Sequence, residues 1–115
     1  MTVLVTGATG FLGGVHLRKL MNEEGYSGKD IRILAMEHEN IDEYKSMGVE
    51  PFIGNLQFPE TLQRIMKDIT TVYHIAAIVV NEAVNREVMM KVNFEGTKEL
   101  ANQFLKEEST EKFVF

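Results

Sequence analysis

The sequence of 115 residues predicts an α/β fold in which helices cover both faces of a doubly wound parallel sheet. Short β-branched or apolar runs alternate with segments of helical periodicity, and this order favours right-handed crossovers from strand to helix to strand. The runs are mostly apolar rather than alternating, as expected of strands that are buried on both faces. About five strands are predicted, over residues 3–5, 31–35, 49–53, 71–75 and 112–115.

Helical spacing of apolar residues predicts the elements that connect these strands. The first helix begins near Gly10, and residues 62–69 carry apolar side chains at i, i+3, i+4 and i+7, as on the buried face of a helix. A short helix is predicted over residues 41–47 and a long one over residues 85–106. Gly96 lies inside the long helix, where it is expected to permit either close packing against the sheet or close approach of a ligand.

Composition narrows the possible functions. With 44% hydrophobic residues and no linker, repeat or low-complexity tract, residues 1–115 are expected to belong to one domain. The net charge is −5 and there is no basic stripe, so nucleic acid is not an expected partner. Cysteine is absent, which excludes disulfides and thiolate metal sites and favours a reducing compartment. The sequence shows neither a signal-like leader nor an apolar run long enough for a membrane span, so a cytoplasmic location is predicted.

A glycine-rich turn directly follows the first predicted strand. Gly7, Gly10 and Gly13 have the spacing Gly-x-x-Gly-x-x-Gly. The first glycine allows a tight turn, the second lets the backbone approach a pyrophosphate, and the third permits close packing of helix on strand. Unpaired N–H groups and the helix dipole would then be directed at the phosphates. Such a turn could merely connect a strand to a helix, but its position in the first strand-to-helix unit favours a Rossmann-type dinucleotide site.

Four segments, in order along the chain, resemble the extended short-chain dehydrogenase/reductases, also called the NAD-dependent epimerase/dehydratase family. They are Val-Thr-Gly-Ala-Thr-Gly-Phe-Leu-Gly at 5–13, Gly-Asn-Leu at 54–56, Val-Tyr-His-Ile-Ala-Ala at 72–77 and Val-Asn-Phe-Glu-Gly-Thr at 92–97. Within the family, the chain is most similar to the dihydroflavonol-reductase-like members. The resemblance implies that residues 1–115 are the N-terminal portion of an NAD(P)-binding Rossmann domain, with an incomplete sheet and without the catalytic and substrate-binding portion.

The resemblance also implies which residues hold the cofactor. Residues of the glycine-rich turn would line the pyrophosphate, and these are Gly7, Thr9, Gly10, Phe11 and Leu12, with Gly13 completing the fingerprint. Asn55 and Leu56 would lie beside the adenine. Ala76 and Ala77 would lie near the ribose and the nicotinamide.

Two positions depart from the family pattern. The family usually has an aspartate that accepts a hydrogen bond from the adenine amino group, whereas this chain has Asn55, whose carbonyl oxygen can still accept. An aspartate commonly caps the helix that begins at Pro59, whereas this chain has Phe58. Capping of that helix must therefore come from elsewhere or be lacking.

Glu37 lies just after the second predicted strand, close to the spacing at which an acid binds the adenine-ribose hydroxyls. Met36 stands where family members that prefer NADP often have arginine. Because a carboxylate would repel a 2′-phosphate, NAD is favoured over NADP. Alternatively, Glu37, Glu39, Asp42 and Glu43 form a solvated acidic loop.

The sequence contains no set of catalytic residues of the family type. The family uses a Tyr-x-x-x-Lys pair, whereas Tyr26, Tyr44 and Tyr73 are each followed at the lysine position by aspartate, glycine and alanine respectively. The histidines fit no metal-binding spacing and are expected to be structural or at the surface: His16, His38 and His74.

The sequence is compatible with three functions. The chain is the NAD(P)-binding portion of an oxidoreductase, epimerase or dehydratase that acts by hydride transfer on a carbonyl, alcohol or nucleotide-sugar substrate. Alternatively it is a non-catalytic dinucleotide sensor or regulator, or a truncated piece with no activity of its own. A homo-oligomer is also expected, formed through the long helix over 85–106 or through an uncovered last strand.

Overall fold

The computed structural model describes residues 2–76 and 86–114, with the backbone but not the side chain of Phe11. The strands in these residues are β1 (Thr2–Thr6), β2 (Ile31–Ala35), β3 (Glu50–Ile53), β4 (Ile69–His74) and β5 (Lys112–Val114). They form one five-stranded sheet in the order β3-β2-β1-β4-β5, and all neighbouring strands are parallel. The predicted doubly wound parallel sheet is therefore confirmed.

The central strand β1 is buried because both of its edges and both of its faces are covered. Its residues pair with β2 on one side and with β4 on the other. Val3 and Val5 contribute to one core cluster and Leu4 to the other, as the alternation of side chains along a strand requires. The strand order reverses between β1 and β4, and in open α/β sheets ligands bind in the crevice at such a reversal.

Helices cover both faces of the sheet. They are α1 (Phe11–Asn22), α2 (Asp42–Ser46), α3 (Arg86–Met90) and α4 (Thr97–Lys106), and a π-helical turn (Lys91–Gly96) joins the last two. Leu17 and Leu20 of α1 pack in the core cluster of Val3, whereas Leu100 of α4 packs in that of Leu4. The predicted short and long helices are thus present, although residue 85 lies outside the described residues. Within the described ranges, no helix has the length and apolar character that crossing a membrane requires.

The predicted helix over residues 62–69 is wrong. A 3-10 turn (Pro59–Leu62) is followed by non-helical turns. Arg64 and Asp68 have positive φ angles of 69° and 64°, which a right-handed helix cannot accommodate. The apolar residues whose spacing suggested a helix are nevertheless buried, and they are Leu62, Ile65, Met66 and Ile69.

A buried arginine explains why these turns are stable without a helix. The Arg32 guanidinium donates to the carbonyl oxygens of Ile65 and Lys67, at 2.7 and 2.8 Å. It also pairs with Glu50 of the neighbouring strand β3 at 3.1 Å. Two carbonyl groups of this non-helical segment are therefore satisfied by a side chain from the sheet.

Gly96 lets the long helical segment approach the loop after β3. A Cβ atom at this position would lie 2.7 Å from the carbonyl oxygen of Leu56 and 2.9 Å from its Cβ. Of the two roles predicted for Gly96, close packing is observed, but the partner is this loop rather than a strand. The contact positions Leu56 at the carboxyl end of the sheet.

Candidate functional site

A cleft of about 550 Å³ opens at the carboxyl ends of the strands, beside the reversal of strand order. It is bordered by the glycine-rich turn after β1, the end of β2, the loop after β3 and the end of β4. The predicted cofactor residues that line it are Gly7, Thr9, Gly10, Leu12, Gly13, Asn55, Leu56 and Ala76. Sequence reasoning did not assign a binding role to other lining residues, which are Leu34, Met36, Glu39, Gly54, Gln57, Ile75 and Val92.

The remaining predicted cofactor residues either do not line the cleft or are not fully described by the structure. Glu37 is exposed and is not among the residues that line the cleft. Ala77 lies outside the described residues, and the side chain of Phe11 is not described.

The glycine-rich turn brings backbone segments together where side chains would collide. Gly7 has a φ angle of 77°, and a Cβ atom there would lie 2.7 Å from the Ala76 nitrogen. A Cβ atom at Gly13 would lie 1.8 Å from the Gly7 carbonyl oxygen, so the first turn of α1 packs directly on the glycine-rich turn. Gly10 differs, because an added Cβ atom would meet only the Gly7 carbonyl oxygen, at 3.4 Å. The fold itself therefore requires Gly7 and Gly13, whereas a Cβ atom at Gly10, which lines the cleft, would make one contact at van der Waals distance.

The amino terminus of α1 borders the cleft. Its N-cap residue is Gly10, and the first turn carries no acidic side chain. The N–H groups of residues 11–13 lie in the first turn, where no preceding helical carbonyl is available to accept them. Free N–H groups and the positive end of the helix dipole suit an anion such as a pyrophosphate.

Thr61 braces the loop that carries Asn55. The Asn55 N–H donates to Thr61 Oγ1 at 2.8 Å, and the Thr61 hydroxyl donates to the Phe58 carbonyl oxygen at 2.7 Å. The Phe58 N–H in turn donates to the Asn55 carbonyl oxygen at 2.9 Å. Phe58 provides no side-chain cap for the turn that begins at Pro59, so the polar bracing comes from Thr61 instead. A hydroxyl residue three positions after an uncapped one was the available sequence signal.

Two acidic residues near the end of β2 occupy different positions. Glu39 lines the cleft and is half-buried, whereas Glu37 is exposed. Glu39 Oε1 accepts the Met36 N–H at 2.7 Å, and the Glu39 N–H donates to the Met36 carbonyl oxygen at 3.0 Å. These two bonds hold the Glu39 carboxylate beside the end of β2. Sequence spacing could not reveal this, because the turn that returns Glu39 to the strand has no signature in the residue types.

A buried polar relay joins β1, β4 and α4. Thr6 Oγ1 lies 2.6 Å from His74 Nδ1, and His74 Nε2 lies 2.6 Å from Thr97 Oγ1. Thr6 Oγ1 also accepts the N–H groups of Ile75 and Ala76, at 3.1 and 3.2 Å. Its own hydrogen is then directed at Nδ1, so we assign a neutral ring whose Nε2 hydrogen points to Thr97. Burial lowers the pKa of His74, which favours the same neutral ring.

The other histidines lie away from this relay. The His16 ring packs against Tyr73 with 4.3 Å between centroids, and His38 is exposed. In the part of the chain that the structure describes, no cluster of histidine, aspartate and glutamate is arranged to hold a metal ion.

Comparison with protein families gives one match over almost the whole chain. The model of the 3-beta hydroxysteroid dehydrogenase/isomerase family matches residues 4–115. Sterol demethylase protein B of Methylococcus capsulatus is 29% identical over 103 residues, which are 90% of this chain and 30% of that protein. The 4-hydroxy-2-methyl-3-oxo-4-farnesyl-3,4-dihydroquinoline-1-oxide ketoreductase of Stigmatella aurantiaca is 30% identical over 98 residues, which are 85% of this chain and 28% of that protein.

Solved structures share the fold. UDP-glucose 4-epimerase of Thermus thermophilus, solved as a complex with NAD, superposes with a TM-score of 0.76 at 28% identity. The superposition covers 100% of this chain and 37% of the epimerase chain. The chain therefore spans between 28% and 37% of the length of these similar proteins.

Proposed function

The chain belongs to the 3-beta hydroxysteroid dehydrogenase/isomerase family, and on this basis we propose that its cleft binds a nicotinamide dinucleotide, NAD or NADP. This membership confirms the resemblance to the extended short-chain dehydrogenase/reductases. In the whole protein, the cofactor would serve an oxidoreductase, epimerase or dehydratase that transfers hydride to or from a carbonyl, an alcohol or a nucleotide sugar. The similar ketoreductase and the NAD-bound epimerase support the proposal.

The observation that carries the proposal is the difference between Gly10 and the other two glycines of the turn. Gly7 and Gly13 are explained by packing within the protein, whereas a Cβ atom at Gly10 would meet only the Gly7 carbonyl oxygen, at 3.4 Å. Gly10 also lines the cleft beside the first turn of α1, whose N–H groups receive no side-chain cap. A pyrophosphate fits both features, since it needs close backbone approach and donors that are not already paired.

The other proposed cofactor contacts are those that the family resemblance implies, and the lining of the cleft supports them. With the pyrophosphate beside Thr9, Gly10 and Leu12, the base lies near Asn55 and Leu56, at the β3 end. The nicotinamide then lies towards the end of β4, where Ala76 lines the cleft. Ala77 stays a prediction of the same site, because it is outside the described residues.

Between the two dinucleotides, the proposal favours NAD. An additional phosphate on the adenine ribose would meet the acidic end of β2, where the Glu39 carboxylate lines the cleft. Like charges in a partly desolvated cleft repel strongly. Glu37, whose spacing suits a ribose ligand but which is exposed outside the cleft lining, stays the alternative to Glu39.

Two further expectations stay predictions. The cytoplasmic location rests on the absence of cysteine from the sequence. Self-association is expected through the long helical segment or through the edge strand β5.

Calorimetric titration of NAD and NADP into the protein tests the proposed function. The informative variant is Gly10→Asp, with Gly10→Asn as its matched control, because both side chains are favoured at a helix N-cap and only one is charged. We expect both variants to fold, and Gly10→Asp to bind dinucleotide at least about tenfold more weakly than Gly10→Asn, since its carboxylate stands beside the phosphates. If neither dinucleotide bound the folded wild-type protein at millimolar concentration, the proposed function would be refuted.

A further inference from the structure

We infer that His74 is a positioning residue of the cofactor site, and that protonation of its ring weakens binding of the dinucleotide by displacing the backbone of Ile75 and Ala76 at the wall of the cleft. The inference goes beyond the proposed function and rests on it, since it concerns how that binding is regulated. It is carried by the hydrogen bonds of the Thr6 hydroxyl, at which the carboxyl ends of β1 and β4 meet.

The Thr6 hydroxyl uses its full hydrogen-bonding capacity. Its oxygen accepts the N–H groups of Ile75 and Ala76, at 3.1 and 3.2 Å, and its hydrogen is directed at His74 Nδ1, at 2.6 Å. A hydroxyl group has one hydrogen and two lone pairs, so these three partners complete the set. The arrangement requires a ring whose Nδ1 is not protonated.

A second proton on the His74 ring breaks this set. With a hydrogen on Nδ1, the hydroxyl hydrogen of Thr6 has to leave that direction and turn towards one of the two amide N–H groups. The Ile75 N–H also reaches the Thr6 carbonyl oxygen, at 3.3 Å, but a hydroxyl hydrogen turned towards it would still oppose its own hydrogen. Thr6 is completely buried, so bulk water does not replace the lost acceptor. The backbone of Ile75 and Ala76 is therefore pushed away from Thr6.

The displaced backbone belongs to the cleft. Ile75 and Ala76 both line it, at the end of β4. A Cβ atom at Gly7 would lie 2.7 Å from the Ala76 nitrogen and 3.0 Å from the Ala76 Cα, so the glycine-rich turn packs directly on this segment. A shift of Ala76 therefore alters both the end of β4 and the turn at which the pyrophosphate is proposed to bind.

The surroundings of His74 leave its titration to burial and to these hydrogen bonds. The ring contacts the Thr6 hydroxyl of β1, the Thr97 hydroxyl of α4 and the Phe113 ring of β5, and none of these groups ionises near neutral pH. Tyr73, the neighbouring titratable residue of β4, packs against the core cluster on the other face of the sheet. Burial is the cause that lowers the pKa of His74. The charged side chains on α4, the π-helical turn and β5 are exposed or half-buried, and they are Lys91, Glu95, Lys98, Glu99, Lys106 and Lys112.

The expected effect of acid has the opposite sign to that of simple electrostatics. Acidification adds positive charge to histidines and removes negative charge from carboxylates, and both changes favour binding of a pyrophosphate anion. Charge alone would therefore tighten binding as the pH falls, whereas displacement of Ile75 and Ala76 weakens it. NAD is the suitable probe, because NADP carries an additional phosphate that titrates near pH 6, in about the same range.

Calorimetric titration of NAD between about pH 5.5 and 8 tests the inference, with circular dichroism to give the folded fraction at each pH. We expect the dissociation constant of the folded wild-type protein to be constant above about pH 6.5, because the pKa of His74 lies below this value. It should rise at least about fivefold towards the acid end, which is a usual size for coupling between two sites. By linkage, binding should then release a fraction of one proton in the acid range, which titration in buffers of different ionisation enthalpy measures.

His74→Gln and His38→Gln are the matched variants, because each removes one titratable ring. His38 is exposed and is not among the residues that line the cleft. His74→Gln should abolish the weakening in acid and the proton release, whatever its affinity at pH 8, whereas His38→Gln should keep both. Thr6→Ser retains the hydroxyl and should keep the pH profile, whereas Thr6→Val removes the hydroxyl and should lose it.

Two outcomes overturn the inference and leave the proposed function standing. One is a dissociation constant that stays constant or falls on acidification while the wild-type protein is folded. The other is a weakening in acid that His74→Gln retains. If His74→Gln does not fold, the two Thr6 variants and the proton release of the wild-type protein decide in its place. If NAD binds at no pH, the proposed function fails and the inference fails with it.

Discussion

Oγ1 of Thr6 lies 2.6 Å from Nδ1 of His74, so the last residues of the neighbouring strands β1 and β4 are joined by their side chains at the edge where the cleft opens. The same hydroxyl oxygen accepts the N–H groups of Ile75 and Ala76. Protonating His74 would turn Nδ1 from an acceptor into a donor. Thr6 would then face a third donor and lose the partner for its own hydrogen.

Stability is expected to fall when the protein is acidified through the titration of His74. Burial lowers the pKa of His74 below its ordinary value of 6.5, so the unfolded chain binds this proton more readily than the folded one. The contribution of His74 to the free energy of unfolding is therefore fully present above about pH 6.5. It decreases below that pH, down to the lowered pKa. Urea midpoints between pH 5 and 8 measure the slope, which His74→Gln should flatten. The exposed His38→Gln is the control, and a wild-type midpoint that does not change over this range would contradict the assignment.

Replacing Arg32 should cost far more stability than its ion pair alone suggests. Arg32→Met removes the donors for the carbonyl oxygens of Ile65 and Lys67 and leaves them unpaired, at a cost of about 3 kcal/mol in the free energy of unfolding. Glu50→Gln removes only the carboxylate partner, whose side chain is 57% exposed, and should cost less than about 1 kcal/mol. Urea unfolding of the two variants separates these effects. Equal losses would show that the ion pair, and not the carbonyl contacts, stabilises the turns.

The contact of Arg32 with the carbonyl oxygens of Ile65 and Lys67 is not predictable from the sequence pattern. Residues 31–35 form the predicted strand, because a short apolar run between turn residues leaves few alternatives. The apolar residues within 62–69 are buried as predicted, but the segment is not helical, because the spacing of apolar residues reports which positions face the core and not the backbone path between them. Their stabilising partner, Arg32, is distant in sequence and belongs to a strand.

Some residues of the candidate site were likewise predictable from the sequence, and others were not. The glycine-rich turn was predictable because Gly7 and Gly13 are required by steric contacts that no other residue satisfies. Glu39 was not, because its approach to the cleft depends on a hydrogen bond to the backbone of Met36. Thr61 was missed although it follows the uncapped Phe58 by three positions, because its bond to the Asn55 N–H depends on a loop geometry that this spacing alone does not encode.

Self-association through the long helical segment is expected to depend on its exposed apolar side chains. Phe94 is 58% exposed and Leu105 is 79% exposed. Introducing charge with Phe94→Glu and Leu105→Glu should weaken association by more than about tenfold, because each apolar side chain contributes on the order of 1.5–3 kcal/mol when it is buried. Light scattering over a range of concentrations gives the mass.

Val15→Glu makes the same change on α1, at a side chain that is 45% exposed, and should leave the mass unchanged. A wild-type protein that remains monomeric at high concentration would contradict self-association. Association that survives both helix variants would indicate pairing through the edge strand β5 instead.

The choice between NAD and NADP is expected to depend on Glu39. Glu39→Gln removes the negative charge but keeps an oxygen that can accept the Met36 N–H, so the turn at the end of β2 should be preserved. Without that charge, the repulsion of a 2′-phosphate disappears, and the ratio of NADP to NAD dissociation constants should fall about tenfold. Calorimetric titration of both dinucleotides gives the ratio. Glu37→Gln makes the same change at an exposed carboxylate outside the cleft and should leave it unchanged. If Glu37→Gln moves the ratio and Glu39→Gln does not, the acid that faces the ribose is Glu37, one of the two roles that the sequence leaves open for it.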